Sequence, residues 1–356
     1  MALLPGGRSA WLALVFGLCL RGAVAAPAPP QPQRTDLIAD MPAAGDLAAP
    51  TNGQTLYVLD EASGEVAAID PFDPAAKRWT AVAAARVADA GAGALSIACI
   101  DTSMLAMLCR NRDGWSLQTH RLQPGTAADP DKPSQNLAIG RAASDAAATA
   151  TTGTRSPGDD RACLAVSPSR DWLGVCGLPA PLPGVMRAPI AGSRIGGLSA
   201  RACPVMPVGT RPTAATISMA EEFVLFATDP ADRTAASVFV SFYLPPDPRR
   251  LLYLDTSLPR VRDAAFCRAD GTLWVVGGGP RGESGGTASA AVAPEGLWRI
   301  DAVMRNGRQS AAAVCVARLE GARAVVCLSE RAIIVTHGRE SRTVSRIDPT
   351  QPASQP

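Results

Sequence analysis

The stretch that decides the fold is Leu56-Tyr57-Val58-Leu59-Asp60-Glu61-Ala62-Ser63-Gly64-Glu65-Val66-Ala67-Ala68-Ile69-Asp70. Two short apolar runs, 56–59 and 65–69, flank a polar turn. Residues of this kind, in runs of four or five bounded by turn formers, read as strands of a hairpin. The second run stops at Asp70-Pro71. The same kind of closing run returns along the chain at 116–122, 185–188, 238–244, 296–300 and 343–347, usually followed by a proline or an acid. The period is about 50 residues, long enough for one supersecondary unit per repeat.

Ahead of each closing run sits a hairpin. Its second apolar run falls at 56–59, 105–109, 172–176, 223–227, 273–276 and 324–327. Asn52-Gly53, Asp270-Gly271 and Glu320-Gly321 supply turn glycines, and Ser167-Pro168-Ser169 presets another turn. No stretch after the leader combines helical periodicity with helix caps. The units therefore read as strand, turn, strand, gap, strand, with a fourth strand hidden in the connector. One small sheet cannot cover both its faces, but sheets arranged in a ring cover one another. The expected fold is all-β: a six-bladed β-propeller of four-stranded antiparallel blades, with seven blades as the alternative.

The 56–70 stretch resembles the surface-layer (YVTN-type) and quinoprotein-like propeller repeats. Leu164-Ala165-Val166-Ser167-Pro168-Ser169-Arg170-Asp171-Trp172-Leu173-Gly174-Val175 is similar to the hairpin of WD40-like repeats. The resemblance spans about residues 46–348 and implies a propeller; it carries no function with it.

The start of the chain reads as an export signal. Arg8 precedes a ten-residue apolar run, 11–20, and Ala23-Val24-Ala25 gives a small-x-small cleavage site. Residues 1–25 are expected to be a signal peptide, and the mature protein to be secreted or periplasmic. The apolar run is too short for a stable membrane anchor. Residues 26–45 read as a proline-rich linker, 46–348 as the propeller, and 349–356 as a disordered tail. Polar, small-residue insertions are expected near 124–160 and 277–294.

The formal charge of +2 comes from 34 basic and 32 acidic residues. Loss of Arg8 and Arg21 with the leader balances the two at 32 each. A nucleic-acid partner is not expected, because phosphate binding needs a basic excess. Only Lys77 and Lys132 are lysines. This arginine-rich usage points to a GC-rich, bacterial coding sequence.

Nine cysteines occur, and eight lie beyond the leader. An even count in an exported chain implies disulfides. Cys99 and Cys109, Cys163 and Cys176, and Cys315 and Cys327 each straddle a predicted hairpin, so three local staples are expected. By elimination Cys203 pairs with Cys267, with two free thiols as the competing reading.

The search for chemistry yields no catalytic set, no metal set and no cofactor. Only His120 and His337 exist, and each reads as a packed residue. Gly282-Glu283-Ser284-Gly285-Gly286 matches a nucleophile pattern, and Gly277, Gly279 and Gly282 match a dinucleotide pattern. Both lie in a Gly/Ser/Ala-rich stretch with no helix to follow, so neither has its required context. Asp101, Asp263 and Asp270 lie near hairpins and read as solvated turn caps. The tryptophans Trp79, Trp115, Trp172, Trp274 and Trp298 read as packing between blades. The expectation is a monomeric, non-enzymatic scaffold presenting a propeller face to an unknown protein or glycan. The alternative is a channel-centered hydrolase, lactonase- or sialidase-like, marked by carboxylates and arginines converging at one mouth of the channel.

Overall fold

A computed structural model describes residues 32–41, 43–73, 83–86, 93–111, 114–122, 132–140, 162–178, 185–200, 211–228, 236–242, 252–278, 294–305, 308–328, 332–338 and 342–352. Every regular element among them is a β-strand. After β1 (Pro32–Met41) come β2 (Ala44–Ala48), β3 (Leu56–Asp60), β4 (Glu65–Ile69) and β5 (Ala83–Arg86), which pair in sequence as one antiparallel sheet. The second sheet is β6 (Gly93–Cys99), β7 (Met104–Asn111), β8 (Gly114–Arg121) and β9 (Gln135–Gly140). The third holds β10 (Cys163–Val166), β11 (Trp172–Cys176), β12 (Val185–Ala191), β13 (Arg194–Ile195) and β14 (Ser199–Ala200). The fourth is β15 (Arg211–Ile217), β16 (Phe223–Thr228), β17 (Ala236–Phe242) and β18 (Leu252–Pro259). The fifth is β19 (Asp263–Phe266), β20 (Leu273–Gly277), β21 (Gly296–Arg305) and β22 (Arg308–Arg318). The last joins β23 (Ala324–Cys327), β24 (Ile333–His337) and β25 (Arg342–Pro352) to β1.

The sheets are antiparallel and stand in a propeller arrangement. Five have the expected four strands; the third has five, because β13 and β14 both pair with β12. Uniform four-stranded blades therefore hold for five sheets only, and neither six nor seven such blades are present. The first strand of each sheet neighbors the first strand of the next: β2, β6, β10, β15, β19, β23, then β2 again.

Burial explains the arrangement. Along β11, Leu173 and Val175 pack toward the second sheet, while Trp172 and Cys176 pack toward the fourth. The two-residue period of a strand thus gives each sheet two apolar faces. Leu56 and Val58 meet the last sheet across one interface; Tyr57 and Leu59 meet the second sheet across the other. Trp274 and Val276 pack toward the last sheet, and Leu273 and Val275 toward the fourth. Gly174 is required at one of these contacts, because a Cβ there would collide with the Phe223 ring.

The first and last described strands meet in one sheet. β1 pairs with β25 from Pro32 opposite Pro352 to Met41 opposite Arg342. This corrects the expected linker over 26–45 and the expected tail from 349. Leu37, Ile38 and Met41 are buried against the first and last sheets, so this stretch carries core side chains despite the prolines before it. A polar chain adds to the closure. His337 Nε2 lies 2.8 Å from Ser345 Oγ, which donates to Asp36 Oδ1 at 2.5 Å. The serine proton goes to the carboxylate, so the imidazole Nε2 carries the proton of the other bond.

Two further expectations change. The 124–160 insertion contains β9, the fourth strand of its sheet. The last hairpin is read one strand out of phase: 324–327 is the first strand of its sheet, and Ile333–His337 is the second. The signal-peptide segment 1–25, Trp79, Cys203 and the Ser284 motif lie outside the described residues.

Candidate functional site

A cavity of about 160 Å³ is lined by residues of β2, β6, β10, β15, β19 and β23. Most of its wall is Ala, Val, Leu and Ile, with Asp46, Ser96, Cys163, Asp263 and Arg268 as the principal exceptions.

The polar residues near the strand starts have a repeated task. Asp46 Oδ2 accepts from Ile97 N at 2.9 Å and from Ser96 Oγ at 2.7 Å, and its Oδ1 accepts from Leu47 N at 3.0 Å. Ser96 Oγ accepts from Leu164 N at 3.1 Å. Asp263 Oδ2 accepts from Val325 N at 2.8 Å. In each case a side chain on one inner strand takes the backbone N–H of the next inner strand. The bonds meet donors that burial would otherwise leave unpaired. The equivalent residue in the third sheet is Cys163, whose thiol instead faces Cys176. That hydrogen bond and burial raise its pKa well above the ordinary value, with Asp263 and Asp46 adding to the effect.

The other end of the channel is formed by the turns that follow the inner strands. Four of these turns carry a charged residue: Asp101 after β6, Arg170 after β10, Glu221 after β15 and Arg268 after β19. Arg268 lines the cavity and feels the charges of Arg170 and Glu221. Cys99, whose thiol burial pushes up, feels Asp101 and Arg268. The carboxylates are tethered. Glu221 accepts from Ser169 N at 2.8 Å and from Trp172 Nε1 at 3.0 Å. Asp101 Oδ1 accepts from Ser103 N at 2.6 Å and Ser103 Oγ at 2.8 Å. Arg170 and Glu221 both have positive φ, 63° and 62°. For non-glycine residues this costs conformational energy, and such strain gathers at functional positions. Met219, 47% exposed, adds an apolar edge to the same mouth. No group of three or more His, Cys, Asp or Glu side chains is placed to hold a metal ion among the described residues.

The expected cysteine pairs meet different fates. Cys163 and Cys176 stand directly opposite, with sulfurs 2.9 Å apart. Cys99 instead faces Leu105, and Cys109 faces Ala94 across a register shift. Cys109 is four residues beyond Leu105, or about 13 Å along the strand. Cys315 lies on β22 opposite Trp298, in a different sheet from Cys327. The staples expected for Cys99–Cys109 and Cys315–Cys327 are therefore not formed by this fold. The phase error in the last hairpin explains the second case.

Both histidines are buried, and burial lowers each pKa to about 4. His337 is lowered further by Arg34 and Arg342 against the opposing pull of Asp36. Trp115, Trp172, Trp274 and Trp298 lie in packing clusters between sheets. Trp172 stacks on Phe223 at 6.1 Å, and the Arg187 guanidinium sits 4.6 Å from its ring center. Asp270, read as a turn cap, accepts from Thr272 N at 3.0 Å. Sequence reasoning also treats Asp101 as a cap; it passes over Asp46, Arg170, Glu221 and Arg268. One available signal is position, since the last three follow an inner strand within a few residues.

No family model and no curated protein sequence matches this chain. Solved structures do match in fold. A putative oxidoreductase (glucose dehydrogenase) from Thermus thermophilus is 14% identical with a TM-score of 0.54, over 89% of this chain and 100% of that one. The hydrazine synthase of Kuenenia stuttgartiensis is 12% identical with a TM-score of 0.53, over 83% and 74%. The soluble aldose sugar dehydrogenase of Escherichia coli is 10% identical with a TM-score of 0.50, over 89% and 99%. Identity at this level shows a shared β-propeller fold. The enzyme names among these structures overturn the expectation of a non-enzymatic scaffold.

Proposed function

We propose that this protein is a channel-centered hydrolase acting on a small ester or lactone, the alternative the sequence left open. The observation that carries the reading is the placement of Asp101, Arg170, Glu221 and Arg268 on the turns after four successive inner strands, with Arg268 lining the cavity. Hydrolysis adds water to an acyl carbon and builds negative charge on its oxygen. Two guanidinium groups carried on turns beside a largely apolar channel would stabilize such charge. Asp101 is the general base that takes the proton from water, and the proton then passes to the leaving oxygen. Glu221 positions the mouth through its bonds to Ser169 and Trp172. The enzyme names among the fold neighbors support chemistry at the channel over a purely structural role.

The same proposal counts the six sheets as six blades, with β13 and β14 together serving as the outer edge of the third. The protein then works outside the cytoplasm, as an exported monomer.

The test is a panel of 4-nitrophenyl acetate, δ-gluconolactone and 4-nitrophenyl sialoside, assayed with purified protein by release of nitrophenol or acid. Turnover of at least one ester or lactone, falling about 100-fold in kcat/KM for Arg268→Ala, supports the reading. Absence of turnover across the panel, or turnover unchanged in the variant, contradicts it.

A further inference from the structure

We propose that Cys267 and Cys327 form a disulfide that ties the inner edge of the fifth sheet to that of the last. This pairing differs from both pairs expected for these residues, one from hairpin spacing and one by elimination. Cys267 directly follows β19, and Cys327 is the last residue of β23. The two strands are neighbors around the channel. Burial first, and then the Cys267 thiol beside it, push the Cys327 thiol up from its ordinary value. The two also belong to one apolar cluster, where Cys267 is 1% exposed. The Asp263-to-Val325 bond holds the same two strands together nearer their starts. Oxidation would therefore fasten an interface already stitched at its other end. Cys163 and Cys176, opposite each other in one hairpin with sulfurs 2.9 Å apart, would supply a second bond on oxidation.

The chemistry requires an oxidant, and a small or protein disulfide such as oxidized glutathione supplies it. One thiolate attacks the oxidant's sulfur, releasing one thiol and forming a mixed disulfide. The other thiolate then displaces the second thiol, so two thiols leave and one S–S bond forms. Exchange needs an accessible thiolate, and Cys267 is buried in the folded chain while Cys327 is half-buried. The bond therefore forms while the chain is folding, before the last sheet is sealed. An oxidizing compartment preserves it.

The test uses the full chain refolded with oxidized and reduced glutathione, alkylated in denaturant and digested without reduction. Mass spectrometry should recover one linked species containing Cys267 and Cys327 and another containing Cys163 and Cys176. Alkylation of Cys267 before reduction, or its recovery linked to Cys203 or Cys315, overturns the proposal. A Cys267→Ser variant supplies an independent reading. Its melting temperature should fall by about 5 °C in the oxidized protein. The difference should vanish when both proteins are reduced; an equal loss in the two redox states contradicts the bond.

Discussion

The two ends of the channel use polar residues differently. Near the strand starts, Asp46, Ser96 and Asp263 each accept a backbone N–H from the next sheet. Their chemistry is committed to holding neighboring strands together. At the turns, the carboxylates of Asp101 and Glu221 are bound within or between hairpins, while Arg268 reaches over the cavity and remains exposed. A carboxylate inside a channel is thus not by itself a catalytic sign. What distinguishes the turn-side mouth is a pair of guanidinium groups on a frame fixed by other bonds.

The strongest way to break this comparison is to remove a strand-start carboxylate. Asp46→Ala leaves Ile97 N and Ser96 without their acceptor in a buried setting, and should cost about 3 kcal/mol of stability. Urea unfolding followed by tryptophan fluorescence measures it; a loss below about 0.5 kcal/mol would remove the stapling role.

A pH titration sharpens the picture by testing a third region, the closure around His337. Both histidines have folded pKa values near 4, below the ordinary 6.5. The unfolded chain therefore binds more protons between these values, and stability falls as pH drops from about 6.5 toward 4. His120→Gln and His337→Gln should each flatten part of that slope. A slope unchanged in the double variant would show that other groups carry it.

The smallest stability effect belongs to the turn-side mouth. Arg268→Ala should change unfolding free energy by no more than about 0.5 kcal/mol, as expected for an exposed side chain. A larger loss would make this residue structural and erase the contrast with Asp46.

Much of the fold is legible from local pattern. The closing runs overlap β4, β8, β12, β17, β21 and β25, because a short strand-like run and the proline or acid that usually follows it are local features. The outer strands are harder to read. β9 has only exposed and half-buried side chains, so its sequence looks like a polar insertion. β1 follows a proline-rich segment, and its place depends on a partner more than 300 residues away, as the Asp36–Ser345 bond records. The last hairpin loses its phase because Ala324–Cys327 is as apolar as a second strand would be.

Cysteine pairing shows the same limit. Cys163 and Cys176 flank a tight hairpin without a register shift, so spacing and geometry agree. Cys99 sits next to its turn opposite Leu105, while Cys109 lies four residues farther along its strand, so the agreement is lost. The Cys267–Cys327 contact spans two sheets, where local spacing holds no information. The mouth cluster is hidden for that reason too: its four residues come from four different sheets.

The most direct test of the central claim pairs turnover with stability in an Arg170→Ala/Arg268→Ala variant. Turnover of the ester or lactone found with the wild type should fall at least about 1,000-fold. The urea midpoint should stay near the wild-type value. Retained turnover with a normal midpoint would contradict the claim that this mouth is the active end of the channel.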